Sequence, residues 1–321
     1  KRQFMKDVTS EYMKTCDIMI PTQKKRNHKH AYLAVFDNQK WVPICYGTQK
    51  GKVCYFNEIG KDIAYLPLYY DNQGIHPITD PFILDSRGRI KYLHADTSKR
   101  KKVILSRKYY LAKHIFDYAK TLTGGHFEAS NNPDFSDPDT IHTISHWLLS
   151  ADSFEIKPQK TYRYWRYVSA KNKGCNLAEL AFYSDKEEKE LTGTIIGTNA
   201  SVRYDTMPMD KSKVFDKDIL TYYEAPSTVD YPWVGLDFNK PVSINKIIYT
   251  PRNDDNNIHA GDLYELFYWE YNHWMSLGQQ RAIESKLTYT NVPDNALLLL
   301  KDLTKGEEER IFTYENDKQV W

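Results

Sequence analysis

The sharpest hydrophobic pattern in the chain lies between Lys213 and Leu277. Val234, Leu236 and Phe238 alternate with Gly235 and Asp237, the two-residue period of a half-buried strand. Residues 242–249 and 263–269 carry β-branched and aromatic side chains at both parities, as strands covered on both faces do. Between them stand turn-forming groups: Asn239-Lys240-Pro241, Pro251-Arg252-Asn253-Asp254 and Asn272-His273. The same alternation of short apolar runs and turns fills the first third of the chain. AYLAVF (31–36), KWVPICYG (40–47), KVCYF (52–56) and IAYLPLYY (63–70) are separated by Asp37-Asn38, residues 47–51 and residues 57–61. A shorter apolar piece, residues 82–84, sits in a stretch punctuated by Pro77, Pro81 and Gly88. Strands at this spacing predict an all-β chain of tandem antiparallel sandwiches. One segment is double-valued. Leu111, Ile115, Ala119 and Leu122 fit a helix face, whereas VILSRKYYL reads as a strand, so the expectation is a strand through Tyr110 followed by at most a short helix.

At 321 residues the chain has room for two or three domains. Lys and Arg number 44 against 42 Asp and Glu, so overall charge points neither to nucleic acid nor to an anionic membrane. The basic runs KKRNHKH (24–30) and SKRKK (98–102) read as wet connectors. Aromatics make up 14 %, with 25 Tyr, a residue suited to half-wet sheet faces and ligand platforms. No run of about 18 apolar residues marks a transmembrane helix. The chain opens on KRQF, without initiator Met or signal peptide, which suggests a piece of a longer protein. Cys16, Cys45, Cys54 and Cys175 are too few and too scattered for a disulfide scaffold. Cys45 and Cys54 flank a hairpin turn, which leaves open a cross-strand bond or a pair of small buried thiols.

Three pieces in order resemble a discoidin-like domain, the type C module of coagulation factors V and VIII. They are the F-D-x-D-x-x-T loop at residues 215–221, the W-V-x-L-D-F strand at 233–238 and the hairpin at 268–274. Lys217 and Asn239 stand where the family pattern has glycine. A closing-hairpin plan occurs twice, at 161–187 and 296–319, with Glu179 and Phe182 corresponding to Glu309 and Phe312. The expected division is a connector over 1–30, a sandwich region over 31–188 (with subunits 31–95 and 96–188) and a discoidin-like jelly roll over 189–321.

AYLAVFDNQKWVPICYG, RYWRYVS with CNLAELAFY, PRNDDNNIHAGDLYELFYW and EERIFTYENDKQVW extend the resemblance. The whole is similar to the C-terminal part of large secreted proteins of gut bacteria, in which a transglutaminase-like domain precedes a β-sandwich and a discoidin-like module. That resemblance implies an extracytoplasmic location and a non-catalytic carbohydrate-binding or adhesion role. The alternative is a spacer or protein-interaction module supporting an upstream transglutaminase-like domain. The residues themselves show no nucleophile context around any Cys and no HExxH-type motif. The expected partners are a glycan or a neighbouring protein domain.

Sugar binding needs an aromatic face for ring C–H groups and planar polar groups for hydroxyls. Candidates are Tyr222, Tyr223 and Trp269 with Arg252, Asn253, Asp254, Asn256 and Asn257. The competing reading of 252–257 is an Asn/Asp-rich turn that caps itself, and that of the tryptophan is core packing. In discoidin-like relatives the F-D-x-D loop often wraps a structural Ca²⁺. Carried over, Asp216, Asp218, Thr221 and Glu309 would hold it, hard oxygens of the kind Ca²⁺ takes. If the family glycine has φ > 0, Lys217 must adopt a left-handed conformation, and its ammonium competes with the ion by pairing with Asp216 or Glu309.

Overall fold

The alternating pattern resolves into antiparallel pairing throughout. In the computed structural model 54 % of the chain is strand and 5 % helix, so the all-β expectation holds. The structure describes residues 15–22, 31–157, 160–184, 189–200, 209–226, 228–306 and 310–321. Most of the expected connector over 1–30, including the basic run at 24–30, and Glu309 lie outside the described residues. Among the described residues no helix is long and apolar enough to cross a membrane.

The first strands are β1 (Thr15–Pro21), β2 (Ala31–Asp37), β3 (Lys40–Lys50), β4 (Val53–Gly60), β5 (Ile63–Asp71), β6 (Gly74–Pro77), β7 (Phe82–Leu84) and β8 (Ile90–Tyr92). They form one sheet in the order β1-β4-β3-β2-β5-β7-β8, with β6 paired to β5. Ala31 and Leu33 turn one face of β2 into a core with Ile20, Phe56 and Phe82, while Tyr32 and Ala34 point the other way. Next, β9 (Asp96–Leu105) takes up the SKRKK run, which is therefore strand and not loop. Lys99, Arg100 and Lys102 are exposed and Lys101 is half-buried, whereas Val103 and Leu105 are fully buried. The strand ends at Leu105, short of the expected Tyr110. Lys108 and Tyr109 beyond it are buried, Lys108 lying 3.6 Å from the equally buried Asp302.

A helix, α1 (Lys113–Lys120), follows with Ile115 and Ala119 inward, the face expected of it. Then come β10 (His126–Ser130), β11 (Asp139–Thr143), β12 (Asp152–Glu155), β13 (Tyr162–Val168), β14 (Leu177–Tyr183), β15 (Thr194–Gly197), a 3-10 turn over Lys211–Phe215, β16 (Trp233–Val242) and β17 (Lys246–Pro251). Two sheets, β11-β10-β13-β16-β15 and β12-β17-β14, enclose a shared core of Phe127, Trp165, Tyr167, Phe182, Leu236 and Ile247. Gly235 lets β16 press against β13, because an added Cβ would stand 2.0 Å from the Trp165 carbonyl oxygen.

The remaining strands are β18 (Leu263–Glu270), β19 (His273–Arg281), β20 (Leu287–Asp294), β21 (Leu298–Asp302), β22 (Ile311–Glu315) and β23 (Lys318–Val320). Five make a sheet, β19-β18-β21-β22-β23, and β20 pairs with β9. The chain divides into two compact units, one built from 1–110 with 258–321, the other from 111–257. The expected boundary at 188/189 is therefore corrected. Trp165 pairs with Leu236 and Phe182 with Ile247 across it, so these strands share one core. The boundary expected at 95/96 falls instead between Tyr110 and Leu111. Side-chain pattern identifies a strand but not its partner, and the two closing hairpins drew the line in the wrong place.

Candidate functional site

The turn after β17 carries the expected ligand loop. Arg252 N–H donates to the Asn176 carbonyl (2.9 Å), which fixes the chain as it leaves the sheet. The guanidinium then lies between the rings of Tyr222 and Tyr118, 3.5 and 3.8 Å from their centroids. Its Nη1 donates to Glu224 Oε2 (3.2 Å) and Asn176 Oδ1 (3.3 Å), and only 15 % of the side chain is exposed. Both faces of the guanidinium are thus covered, and Arg252 positions three segments. Burial, then the Arg252 charge, holds the His114 imidazole below its usual range.

Asn253, Asp254, Asp255, Asn256 and Asn257 are buried, which removes the reason for expecting them at a solvent-facing ligand site. The loop caps itself: Asn253 Nδ2 donates to the Pro251 carbonyl (2.8 Å) and Asp255 N–H to Asn253 Oδ1 (2.8 Å). Asn257 Nδ2 donates to the Leu149 carbonyl (3.1 Å). Short polar side chains of this kind replace ladder partners for the main chain, so a polar loop can have an interior role. Tyr223 is also interior, its hydroxyl donating to the Thr198 carbonyl (2.7 Å). Trp269 packs in the other unit, 5.6 Å from Trp41 and 5.1 Å from Trp274. Of the expected aromatics, the fold brings Tyr222 alone against Arg252.

The acidic loop brings Asp216, Asp218 and Thr221 together. Asp216 Oδ1 accepts the Asp218 N–H (3.1 Å), and Asp218 Oδ1 accepts the Leu220 N–H (3.0 Å). The Thr221 hydroxyl lies 3.0 Å from both Asp216 carboxylate oxygens, 3.1 Å from the Asp218 carbonyl and 3.4 Å from the Lys213 carbonyl. Lys217 does adopt the left-handed conformation, with φ +62°. Its ammonium goes to Glu190 (3.0 Å), and it is Lys213 that reaches Asp216 Oδ2 (3.1 Å). The carboxyl facing the loop belongs to Glu179 of β14. Burial first, then the charges of Asp216, Glu190 and Asp218, pushes it up to about 7, and its Oε1 is buried without a hydrogen-bond partner. The sequence repeat held Glu179 and Glu309 as equivalents; the bridge between Leu177 and Tyr223 brings the first of them to the loop.

An orphaned carboxyl oxygen beside a second carboxylate, a hydroxyl and two carbonyls is a donor set that fits a hard cation. Among the described residues no three His, Cys, Asp or Glu side chains converge as a metal cluster. A cation here would depend on the Thr221 hydroxyl and the carbonyls as much as on Asp216 and Glu179.

A second surface, unmarked by any motif, lies on the β3-β2-β5-β6 sheet. Tyr32 pairs with Tyr46 on one side and Leu68 on the other, and Tyr70 pairs with Ile75, so these side chains share a face. Part of that face is covered by Trp269 and Leu297 packing on Ala34 and Leu66. The rest is open: Tyr70 is 64 %, Ile75 58 % and Tyr46 54 % exposed. A groove of about 180 Å³ runs between Tyr32, Pro43, Leu68, Tyr70 and Ile75. The apolar run IAYLPLYY was legible as a strand, but which of its faces would be covered was not.

The four cysteines are free, and Cys54 pairs across the hairpin with Gln49 and not with Cys45. Burial pushes the Cys54 thiol up to about 11 and raises Cys45 and Cys175 as well.

The class that the fold and these surfaces define is an antiparallel all-β protein of two units. No family model matches the chain, and no curated protein matches it. Among solved structures, the FN1-FN3 domains of chicken CNTN1 align over 94 % of this chain and 95 % of that one, at 7 % identity and a TM-score of 0.16.

Proposed function

We propose that this chain is a non-catalytic binding module of an extracytoplasmic bacterial protein, with carbohydrate as its ligand class. The observation that carries the reading is the open aromatic face of Tyr46 and Tyr70 on a sheet whose other face is core. Large exposed apolar surface on a well-packed sheet marks interaction sites, and phenol rings offer an apolar face for sugar C–H groups with a hydroxyl at the tip. Buried thiols with raised pKa values support a non-catalytic role, because a thiolate nucleophile needs the opposite shift. A shallow site of this kind binds in the millimolar-to-micromolar range, about 4–8 kcal/mol. A glycan array on the purified chain tests it: binding should appear and weaken in Tyr46→Ala/Tyr70→Ala. Turnover of a glycoside or peptide, abolished by one carboxylate or Cys substitution, would overturn it.

A second reading has its own observation. The groove beside Tyr70 is lined almost wholly by apolar groups, which suits a neighbouring protein domain, such as a transglutaminase-like domain upstream. In that case the same double variant leaves glycan binding absent throughout and instead weakens association with that domain.

The discoidin-like module expected over 189–321 survives in this proposal only as a character of the unit 111–257, which holds the 215–221 loop and the 233–238 strand but not the hairpin at 268–274, and with it goes a structural Ca²⁺ at the acidic loop. Asp216, Thr221, Glu179 and the carbonyls of Lys213 and Asp218 would hold it. Such an ion would supply positive charge that favours the ionised form of Glu179.

A further inference from the structure

A separate cleft in the unit built from 1–110 and 258–321 has no part in the surfaces described above. Its cavity of about 310 Å³ is at the low end of ligand-pocket size, about 300–1,000 Å³. Lys91 comes from β8, Lys101 from β9, Asp294 and Asn295 from the end of β20 and its turn, and Tyr314 and Glu315 from β22. The four charges are matched in pairs: Lys91 Nζ lies 2.6 Å from Glu315 Oε1, and Lys101 Nζ 2.8 Å from Asp294 Oδ1.

Each pair is held by a further bond. Lys101 also donates to the Tyr314 carbonyl (2.9 Å), and Glu315 accepts from the Thr313 hydroxyl (3.0 Å). Asn295, in a left-handed conformation with φ +51°, donates its amide to the carbonyls of Tyr92 and His94 (3.0 and 3.1 Å). The polar groups are therefore positioned before any ligand arrives, which lowers the ordering cost of binding. The floor includes the apolar groups of Ala296 and Leu298.

A wall that offers ammonium donors beside carboxylate acceptors, with no net charge, selects against ions of either sign. An anion meets two carboxylates, and a cation meets two ammonium groups. A neutral polyol suits it: each hydroxyl can donate to a carboxylate and accept from the neighbouring ammonium. We infer that this cleft is a subsite for a neutral saccharide, one or two rings in size, resting on the carbohydrate reading above but placing its polar recognition here.

The test is a titration of the ¹⁵N-labelled chain with lactose, maltose and cellobiose, set against galacturonate and an amino-acid mixture. Neutral disaccharides should move the amides around Lys91, Lys101, Asn295 and Glu315. Lys101→Met/Asp294→Asn, which keeps the cleft neutral, should weaken that binding at least tenfold. Lys91→Gln/Glu315→Gln, at the other pair, should do the same and serves if the first variant does not fold. Sugar binding that survives both cleft variants and is lost in Tyr46→Ala/Tyr70→Ala overturns the cleft and leaves the carbohydrate reading standing. Preference for galacturonate or amino acids overturns the neutral-saccharide assignment, and no sugar binding at all overturns both.

Discussion

Arg252 shows how a side chain that looks like a ligand contact can be a rivet. It lies flat between two phenol rings, and its charge answers Glu224, whose side chain is 12 % exposed. A desolvated cation–π contact contributes up to about 2 kcal/mol, and stranding the partner carboxylate adds to the loss. Arg252→Ala should therefore lower stability by about 2–4 kcal/mol in denaturant titrations, with Arg252→Lys recovering only part, since an ammonium cannot stack on both rings. Glu179 gives a prediction of the opposite kind. Its folded pKa, about 7, lies above the 4.5 of an unperturbed glutamate. The native state thus holds the proton more tightly than the unfolded chain, so this group's contribution falls as pH rises between those two values. Without divalent cation, Glu179→Gln should melt higher than wild type at pH 7–8, with the gap closing near pH 4.5. Ca²⁺ should raise the wild-type melting temperature and leave Glu179→Gln nearly unmoved; a wild type indifferent to both Ca²⁺ and chelator would retire the ion.

Among the elements, the strands were the most legible in the sequence. Residues 31–36, 63–70 and 233–238 alternate or run apolar as β2, β5 and β16 do. Turn chemistry at Asn272 was equally plain, and that residue adopts positive φ; Asn239, expected in a turn, also has positive φ but lies within β16, which runs on to Val242. What could not be read was pairing. Hydrogen-bond partners are chosen by three-dimensional fit between faces, so nothing local told Trp165 that its neighbour would be Leu236. The same gap explains the site. The acidic loop was legible because its carboxylates bond their own backbone, whereas the approach of Glu179 to it, and the open face at Tyr46 and Tyr70, depended on the pairing. Trp269 was held as platform or core, and its ring contacts with Trp41 and Trp274 decide for core. Trp269→Ala should cost about 3–5 kcal/mol in the unit that contains it, measured by denaturant unfolding.

At the scale of the molecule, residues 111–257 form a unit set into the sequence of another. Ser106 O accepts the Ile258 N–H at 3.2 Å, so the two ends of the host sequence are already adjacent. Joining them through a short Gly/Ser linker should leave a folded unit from 1–110 and 258–321, and residues 111–257 expressed alone should give a cooperative β-sheet melt. A linked host unit without a cooperative transition would show that it needs its insert. The pairing of β9 with β20 has a consequence in time as well as in space. A ribosome that has released Leu105 must add roughly 180 residues before Leu287 emerges, about 9–36 s of synthesis. Through that interval a strand with Val103 and Leu105 awaiting burial lacks its partner edge. The four consecutive cations Lys99-Arg100-Lys101-Lys102 are then a guard, keeping one nascent chain from pairing with the next until its own C-terminal strand arrives.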